Sequence, residues 1–307
     1  MTAPRVSVVM TAFNREGYIA AAIESVLKQT FTDFELVIVD DRSTDATLEV
    51  ARRYERDPRV RIVVNDRNLG DYPNRNHAAT FARGEFFKYH DSDDVMYPHC
   101  LETMVRFLSA EPRAAFALTT SRPWAGGPCP MLLTPRLAYS REYLGHGLFQ
   151  VGPACALFRR EAFFELGGFP IAGPHSDGLF WVAACARVNV LLVPGDLFWY
   201  RVHSGQHLQS TEALYDNIAL DRHFFLVLDD PACPLTAEER ELAKRNITAS
   251  AVKRLLNDVR AGRLALAWVR FRNSGHSMVD WLKYSRPPMR RFGAGSPVDP
   301  NGEYVVP

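Results

Sequence analysis

The sequence predicts an α/β protein with a mostly parallel, Rossmann-like sheet, flanking helices and a helical C-terminal extension. Over the first 120 residues, short runs rich in Val, Ile and Phe alternate with amphipathic segments. This alternation is typical of a parallel sheet covered on both faces. After about residue 215, only helical spacing of apolar residues remains. The composition, 47% hydrophobic and 23% charged over 307 residues, is that of an ordinary globular protein.

The first part of the chain is predicted to fold as alternating strands and helices. The strands are assigned to short β-branched and aromatic runs at residues 6–10, 36–40, 61–64, 85–90 and 114–120. The helices are assigned to segments with apolar residues at helical spacing, at residues 18–29, 44–54, 74–82 and 98–112. Pro98 fits the first turn of the last of these helices.

The pattern weakens between residues 123 and 152, where Pro and Gly are frequent. We interpret this segment as a long loop with short strands, placed where a substrate could bind. Beyond it, helices are predicted at residues 159–166 and 179–187. Strands are predicted at residues 190–193 and 198–202.

The C-terminal part is predicted to be helical. Helices are assigned to residues 217–228 and 236–261, and the second begins with the capping box Thr236-x-x-Glu239. Residues 268–284 are aromatic and basic, and residues 286–307 are rich in Pro and Gly and are expected to be poorly ordered. We therefore divide the chain into an α/β domain, 1–215, and a helical extension, 216–307.

Charge is distributed unevenly along the chain. Residues 1–235 carry 23 Lys and Arg against 28 Asp and Glu, whereas residues 236–307 carry 13 against 7. The net charge of +1 gives no reason to predict a nucleic-acid partner. The basic excess near the C-terminus indicates either contact with an anionic surface or a solvated helical face.

The sequence indicates neither a covalent scaffold nor a membrane span. The five cysteines are far apart and form no C-x-x-C pair, so a disulfide framework or a zinc site is not expected. No apolar stretch approaches the ~20 residues that a spanning helix needs, and the apolar run at the start is too short for a signal peptide. We expect a cytoplasmic protein with reduced thiols, and contact with the inner membrane face stays open.

Polar residues follow three predicted strands at the point where each strand ends. Thr11 and Asn14 follow the first strand, Asp41 the second, and Asp91 and Asp93 the fourth. Ligands of open α/β sheets bind beyond the carboxyl ends of the strands, so these side chains are predicted to meet at one edge. Close carboxylates repel one another unless a cation intervenes, and Mg²⁺ and Mn²⁺ prefer oxygen ligands, phosphate oxygens included. Residues 91–93 therefore form a candidate metal–diphosphate site.

Several separate motifs occur in an order that resembles the family 2 glycosyltransferases. They are VSVVMTAFN at 6–14, SVLKQTFTDFELVIVDDRSTD at 25–45, NLG at 68–70, RN at 75–76, ARGE at 82–85, DSDD at 91–94, GGF at 167–169, Asp177 and RVH at 201–203. The resemblance covers roughly residues 5–210. It implies a GT-A fold, with the catalytic domain at 1–215, and sugar transfer with inversion.

The resemblance implies a nucleotide site at the strand ends. Thr11 and Phe13 would line the base pocket, with Asn14 in the same site. Asp41 would hydrogen-bond the nucleobase, and Arg75 would lie beside the base or the phosphates. The alternative role for Asp41 is helix capping, and Arg75 could be an ordinary surface residue.

The resemblance also implies a metal–phosphate site. Asp93 would ligate Mn²⁺ or Mg²⁺, and Asp91 would contact the ribose or the metal and its water shell, with Ser92 in the nucleotide site. His203 would complete the metal coordination, and Arg201 would pair with phosphate. The alternative for Arg201 and His203 is a structural role.

Inverting transfer also needs a base for the acceptor hydroxyl, and Asp177 is assigned to that role. An ordinary Asp is already ionised at pH 7, so no unusual pKa is required. Members of the family usually have an acidic pair here, whereas this chain has Ser176 before Asp177. Helix capping is the alternative role for Asp177, and His175 is a second candidate base.

Two other classes of nucleotide-binding enzyme lack support in the sequence. A dinucleotide oxidoreductase would show G-x-G-x-x-G after the first strand, and a sugar nucleotidyltransferase would show a Gly-rich basic loop there. This chain has neither. A non-catalytic or hydrolysis-only relative, or a glycosyltransferase acting on a small molecule, stays open.

The predicted partners follow from this assignment. The donor would be a UDP- or dTDP-sugar, with guanine not excluded, and the acceptor a carbohydrate or lipid-linked hydroxyl in polysaccharide or glycoconjugate biosynthesis. Among the tryptophans, Trp181 is the first candidate to face an acceptor, ahead of Trp124 and Trp199. The extension could cover the α/β domain, form a homodimer or rest on anionic lipid.

Overall fold

In the computed structural model, the described residues are 3–119, 129–145, 147–203, 212–284 and 303–304. They form eleven strands in chain order: β1 (Val6–Ala12), β2 (Phe34–Asp40), β3 (Val60–Val64), β4 (Phe86–Tyr89), β5 (Val95–Met96), β6 (Ala114–Thr119), β7 (Met131–Leu133), β8 (Ala156–Arg159), β9 (Asn189–Val193), β10 (Phe198–Trp199) and β11 (Glu303–Tyr304). The helices of the described residues are α1 (Ile19–Leu27), α2 (Thr47–Arg52), α3 (Asp71–Ala79), α4 (Cys100–Ala110), α5 (Pro135–Leu144), α6 (Arg160–Glu165), α7 (Ser176–Cys185), α8 (Glu212–Leu226), α9 (Ala237–Arg260), α10 (Leu264–Asn273) and α11 (Met278–Tyr284).

Nine strands form one sheet in the order β11-β7-β9-β6-β8-β4-β1-β2-β3, and β5 pairs with β10 separately. β1 runs parallel to β2 and to β4, and β2 runs parallel to β3. β8 lies antiparallel between β4 and β6. The chain leaves β1 toward β2 and β3 on one side and returns to β4 on the other. The switch in direction opens a crevice at the carboxyl ends of β1 and β4, which is where open α/β sheets bind ligands.

The central strands are buried on both faces. All seven residues of β2 are buried, which explains its continuous apolar run and matches a parallel sheet covered by helices. One face carries α1, α2 and α4, with Ile23 and Met104 in its core. The other face carries α3, α5, α6 and α7, with Phe163 and Trp181 in its core. The predicted mostly parallel sheet with flanking helices is confirmed.

The helical extension packs on the second face of the sheet. Phe224 of α8 and Ala243 of α9 belong to the same core cluster as Trp181. The predicted capping box is present, because Thr236 Oγ1 accepts from the Glu239 N–H and the Glu239 carboxylate accepts from the Thr236 N–H. The division proposed at residue 215 lies inside α8.

Some predicted elements differ from the structure. Residues 123–152 are predicted to form a long loop with short strands. The three-residue β7 agrees with this, but the ten-residue α5 does not, with Pro135 in its first turn and Tyr139 in the core. The prediction also misses β8. The strand predicted at 198–202 is shortened to β10. Residues 120–128, with Trp124, and residue 146 lie outside the described residues.

Trp181, the first candidate among the tryptophans to face an acceptor, does not face the solvent. Its side chain is fully buried and its Nε1–H donates to the Val151 carbonyl at 2.8 Å. The ring stacks on Phe158 with centroids 5.9 Å apart. Burial in an aromatic core with the indole N–H satisfied makes Trp181 a packing residue.

Of the predicted disordered tail, 286–307, only Glu303–Tyr304 lies within the described residues, as the strand β11 that pairs with β7. Along the described ranges, none of the helices combines the length and apolar character that crossing a bilayer requires.

Candidate active site

The strand ends place the predicted residues side by side. Ala12 pairs with Asp40 at the ends of β1 and β2, and the Asp41 N–H donates to the Ala12 carbonyl at 2.8 Å. The His90 N–H donates to the Val9 carbonyl at 3.0 Å, so the chain that follows β4 starts alongside β1. The crevice is therefore bordered by the segments that follow β1, β2 and β4.

The loop after β1 turns sharply and joins the loop after β2. Asn14 has a positive φ of 52°, in the left-handed region that Asn tolerates better than most residues. Its Oδ1 accepts from the Thr44 N–H at 2.8 Å, and its own N–H donates to Ser43 Oγ at 3.1 Å. Asn14, predicted to bind nucleotide, therefore fixes the rim of the crevice in the structure. Phe13 beside it is 43% exposed, and Thr11 is half-buried.

Asp93 lies at the centre of the candidate site and contacts two other functional side chains. Its Oδ2 accepts from Arg15 Nε at 2.8 Å and lies 3.1 Å from His203 Nε2. The His203 ring stacks on Tyr18 with centroids 4.5 Å apart. The structure thus brings the predicted residues Asp93 and His203 together and adds Arg15, which sequence reasoning missed.

The segment after β10 is bound to the loop after β4. The Arg201 N–H donates to Asp94 Oδ1 at 3.0 Å, and Arg201 Nε donates to the Asp93 carbonyl at 2.8 Å. The Arg201 guanidinium lies 4.6 Å from the ring centroid of Trp199, whose face is half exposed. Burial raises the pKa of Asp94 to about 7. Arg201 therefore lies beside the loop after β4 at the crevice.

Arg75 joins α3 to the loop after β4. Its guanidinium donates from Nη2 to Asp91 Oδ1 and from Nε to Asp71 Oδ1, both at 2.7 Å. Burial opposes ionisation of Asp91, but the Arg75 charge outweighs it and holds the pKa of Asp91 below its ordinary value. Within the described residues, Arg75 Nη1 has no hydrogen-bond partner, and Asp91 Oδ2 accepts no hydrogen bond. Ser92 between the two acids is buried.

Asp41 is buried and its carboxylate is used within the protein. Oδ1 accepts from Asn65 Nδ2 at 2.7 Å and from the Leu69 N–H at 2.8 Å, and Oδ2 accepts from the Gly70 N–H at 2.9 Å. Gly70 precedes α3 with φ of 85°, a conformation that favours glycine. Asp41 therefore holds the 68–70 turn that starts α3. The neighbouring carboxylate of Asp40 is less fully hydrogen-bonded, because its buried Oδ1 has no hydrogen-bond partner within the described residues.

Asp177 lies in the first turn of α7. Its Oδ1 accepts from the Gly178 N–H at 2.7 Å, and its carboxylate interacts with the hydroxyl of Tyr72 from α3. Burial raises the pKa of Asp177 to about 6, so it differs from the ordinary Asp expected from the sequence. The Arg75 guanidinium lies 5.9 Å from the Tyr72 ring centroid, so α3 connects Asp177 to the Asp91 side of the crevice.

Ser176, the residue before Asp177, is fully buried. Its Oγ donates to the Gly173 carbonyl at 2.6 Å and accepts from the Ala172 N–H at 3.1 Å. Ser176 therefore closes the turn that leads into α7. Ser176 therefore adds no second charge beside Asp177.

Asp93 and His203 could provide two ligands to a divalent cation, whose other ligands would come from outside the protein. Among the residues that the structure describes, no group of three or more His, Cys, Asp or Glu is arranged to hold a metal ion. Asp93 and His203 nevertheless meet at one oxygen, and Mg²⁺ sites commonly use one or two carboxylates with substrate phosphates and water. Because Arg15 occupies the same oxygen, an ion would have to share Asp93 with the guanidinium or displace it.

Comparison with known sequences finds a matching family model and related proteins. The family model described as Glycosyl transferase family 2 matches residues 7–167, more than half of the chain. EpsE of Bacillus subtilis (strain 168), which is named as a glycosyltransferase, is 37% identical over 107 residues, 34% of this chain and 38% of EpsE. The chain thus spans less than half the length of that relative.

Two solved structures share the fold. TarS of S. aureus in complex with UDP-GlcNAc superposes with a TM-score of 0.59 at 20% identity, covering 93% of each chain. The mannosyltransferase PcManGT of Pyrobaculum calidifontis, in complex with GDP-Man and Mn²⁺, gives a TM-score of 0.59 at 22% identity, covering 88% of this chain and 79% of that one. At 20% and 22% sequence identity, this structural similarity shows a shared fold and nothing further.

Proposed function

The chain belongs to glycosyl transferase family 2 and has the GT-A fold, and from this premise we propose that it transfers a sugar from a nucleotide diphosphate donor to an acceptor hydroxyl. The donor is a UDP- or dTDP-sugar, and the transfer inverts the anomeric carbon. The observation that carries the proposal is the position of Asp93, which meets Arg15 and His203 in the crevice beyond β1 and β4.

The nucleotide is proposed to lie across the ends of β1 and β2. The half-exposed ring of Phe13 and the side chain of Thr11 border the base, and Asp41 contacts it through the one acceptor position that its loop leaves. Asp91 Oδ2 faces the ribose or the water shell of the metal. Asn14 joins the loops after β1 and β2 at the rim of this pocket, and the buried Ser92 lies between Asp91 and Asp93.

The diphosphate is proposed to lie among the cations of the crevice. Arg201 and Arg75 would donate to phosphate oxygens, and guanidinium–phosphate pairs are strong and directional. Two observations support this: Arg201 binds the loop after β4, and the buried Nη1 of Arg75 has no hydrogen-bond partner within the described residues. Asp93 and His203 would hold Mn²⁺ or Mg²⁺. When bound, that ion neutralises charge on the departing nucleoside diphosphate. If the ion displaced Arg15 from Asp93, the guanidinium would be available to the same phosphates.

Asp177 is proposed to accept the proton of the acceptor hydroxyl. The acceptor oxygen forms the new bond to the anomeric carbon as the bond from that carbon to the diphosphate breaks, and the proton passes to the carboxylate. A base whose pKa lies near the working pH is more effective than an ordinary Asp, and the partial burial of Asp177 supports that shift. His175, the second candidate, is the residue before α7.

The acceptor is proposed to be a carbohydrate or lipid-linked hydroxyl in polysaccharide or glycoconjugate biosynthesis, within the cytoplasm. The half-exposed Trp199, beside Arg201 at the crevice, offers an aromatic face on which a sugar ring can stack. A hydrolysis-only relative would bind the same donor and transfer its sugar to water.

Donor turnover tests the proposal directly. UDP- and dTDP-sugars are incubated with the full chain and Mn²⁺, and release of the nucleoside diphosphate is followed with and without a panel of glycoside acceptors. Release that rises with one acceptor and yields an inverted product supports transfer. Release that no acceptor accelerates would identify a hydrolase, and no release from any donor would identify a non-catalytic protein.

The pH dependence of transfer follows from the pKa of Asp177. Because only the ionised carboxylate accepts a proton and its pKa is raised to about 6, kcat/KM is expected to fall about tenfold per pH unit below that value. The measurement is a pH–rate profile with donor affinity determined at each pH. A kcat/KM that stays constant as the pH falls through about 6 would exclude Asp177 as the base.

A further inference from the structure

The last two helices of the described chain present apolar side chains to solvent. We call these side chains the outer face, and all five are between 62% and 74% exposed: Leu264, Trp268, Met278, Val279 and Leu282. Burial of large apolar side chains normally stabilises a fold, so a cluster of five that stay exposed is unusual for a monomer.

The outer face is not needed to attach the two helices. α10 packs through the buried Leu266, Ala267 and Arg270, and α11 through the buried Tyr284. Leu264 and Trp268 are four residues apart on α10, so they lie on one side of it, away from these contacts. The helices therefore have an inner side that binds the rest of the extension and an outer side without a partner among the described residues.

An aromatic contact series joins α10 and α11. The ring of Trp268 lies 6.0 Å from that of Phe271, and Phe271 lies 5.4 Å from Trp281 of α11, as measured between centroids. Leu282 follows Trp281 directly. The exposed residues of α10 and α11 thus belong to one connected surface.

The charged side chains beside the outer face are mostly basic, and three of these bases are paired with acids of α9. Residues 260–284 contain five Lys or Arg and a single Asp. Arg272 is four residues beyond Trp268 on the same side of α10, and Arg260 ends α9. Both are exposed, and neither forms an ion pair with any described residue. The acid Asp280 is bound to Ser277, where it caps α11.

We propose that the outer face binds the surface of an anionic lipid bilayer, with its apolar side chains inserted between head groups and Arg260 and Arg272 at the phosphates. Exposed Trp and Leu with a basic border are typical of helices that lie in a membrane interface. A protein partner would need a surface that is both acidic and apolar. An anionic bilayer has negatively charged head groups and an apolar interior. The proposal is independent of the sugar-transfer chemistry.

Sedimentation with vesicles tests this proposal on the full chain. We expect binding to phosphatidylglycerol–phosphatidylcholine vesicles at low salt, and much weaker binding to phosphatidylcholine alone. Trp268→Ser with Leu282→Ser should lower the partition coefficient by more than about tenfold because it removes the inserted apolar area. Arg272→Gln should lower it about fivefold, and the loss should shrink at high salt.

Ile171→Ser is the matched control, because Ile171 is as exposed as Leu282 but lies in the α/β domain. It should bind vesicles like the unmodified chain, and the thermal midpoint of every variant should stay unchanged. Absence of binding to anionic vesicles at low salt would overturn the proposal. Vesicle binding by the Trp268→Ser/Leu282→Ser variant that equals that of the unmodified chain would also overturn it. A dimer in sedimentation velocity that the double variant loses, without vesicle binding, would assign the face to a second copy instead.

Discussion

Replacing Asp177 with Asn is expected to lower kcat for sugar transfer by about 10²–10⁴-fold while leaving donor affinity unchanged. Asn keeps the shape of the side chain and can still accept from the Gly178 N–H, but it cannot take the acceptor proton. The measurement is single-turnover transfer together with calorimetric donor binding. Loss of the catalytic base lowers the transfer rate alone, whereas loss of a donor-binding residue also lowers donor affinity.

The same substitution should stabilise the protein at neutral pH. The pKa of Asp177 is raised from 3.8 to about 6 by burial, so the ionised group is less favourable in the folded chain than in the unfolded one. That penalty develops as the pH rises through the range between these two values and is complete above it. Asn removes it, so the free energy of unfolding at pH 7 should rise by on the order of 1–3 kcal/mol.

A capping role for Asp177 predicts the opposite result. If the carboxylate only stabilised the first turn of α7, Asn would lower the free energy of unfolding and leave kcat intact. Asp280→Asn is a matched control, because Asp280 caps α11 and lies outside the candidate site. It should lower stability without affecting transfer. Retained transfer in Asp177→Asn would show that another group is the base.

Replacing Asp93 with Asn is expected to abolish the metal-dependent part of nucleotide binding. The ion contributes several kcal/mol of charge stabilisation at a diphosphate, so the ratio of affinities with and without Mn²⁺ should fall by more than about 100-fold. The amide also ends the contacts that Arg15 and His203 make with a charged oxygen. Titration of the nucleotide in the presence and absence of Mn²⁺ measures this ratio.

Arg15→Gln is the matched control for that experiment. It breaks the same ion pair with Asp93 but keeps the carboxylate, so metal dependence should persist. Mn²⁺ alone should bind this variant more tightly than the unmodified chain, since the guanidinium no longer occupies Asp93 Oδ2. Equal loss of metal dependence in both variants would mean that Asp93 acts only as the partner of Arg15.

Much of the sheet could be predicted from the sequence. β1 to β4 are buried runs of β-branched and aromatic residues separated by helices, and their spacing fixes a parallel arrangement. The carboxyl ends of parallel strands lie at the same edge, which is why residues 41 and 91–93 could be placed near one crevice before the structure was known. The local sequence pattern was therefore sufficient to predict this half of the sheet.

The second half of the sheet could not be predicted as well. β8 has four residues and pairs antiparallel between β4 and β6, which are far from it in the chain. Its short run ALFR is continuous with α6, so no turn signal separates the two elements. The ten residues of α5 follow a region rich in Pro and Gly, and tertiary packing of Tyr139 overrides that weak local signal.

The site shows the same division between local and long-range information. Arg15 follows a strand end and carries no motif of its own, and it reaches Asp93 because Asn14 turns the chain with φ of 52°. Likewise, the raised pKa of Asp177 depends on burial by α3 and the α8 side of the fold, which no local pattern records. Residue types were predictable, whereas their partners were not.

The most direct test is a calorimetric titration of the unmodified chain with UDP, dTDP and GDP, each with and without Mn²⁺. A nucleotide bridged to Asp93 through a cation should bind much more tightly with Mn²⁺, and a uracil or thymine base should be preferred over guanine. Metal-dependent binding of UDP or dTDP is the predicted result. Absence of binding by all three nucleotides, or equal binding with and without the ion, would contradict a metal-dependent glycosyltransferase.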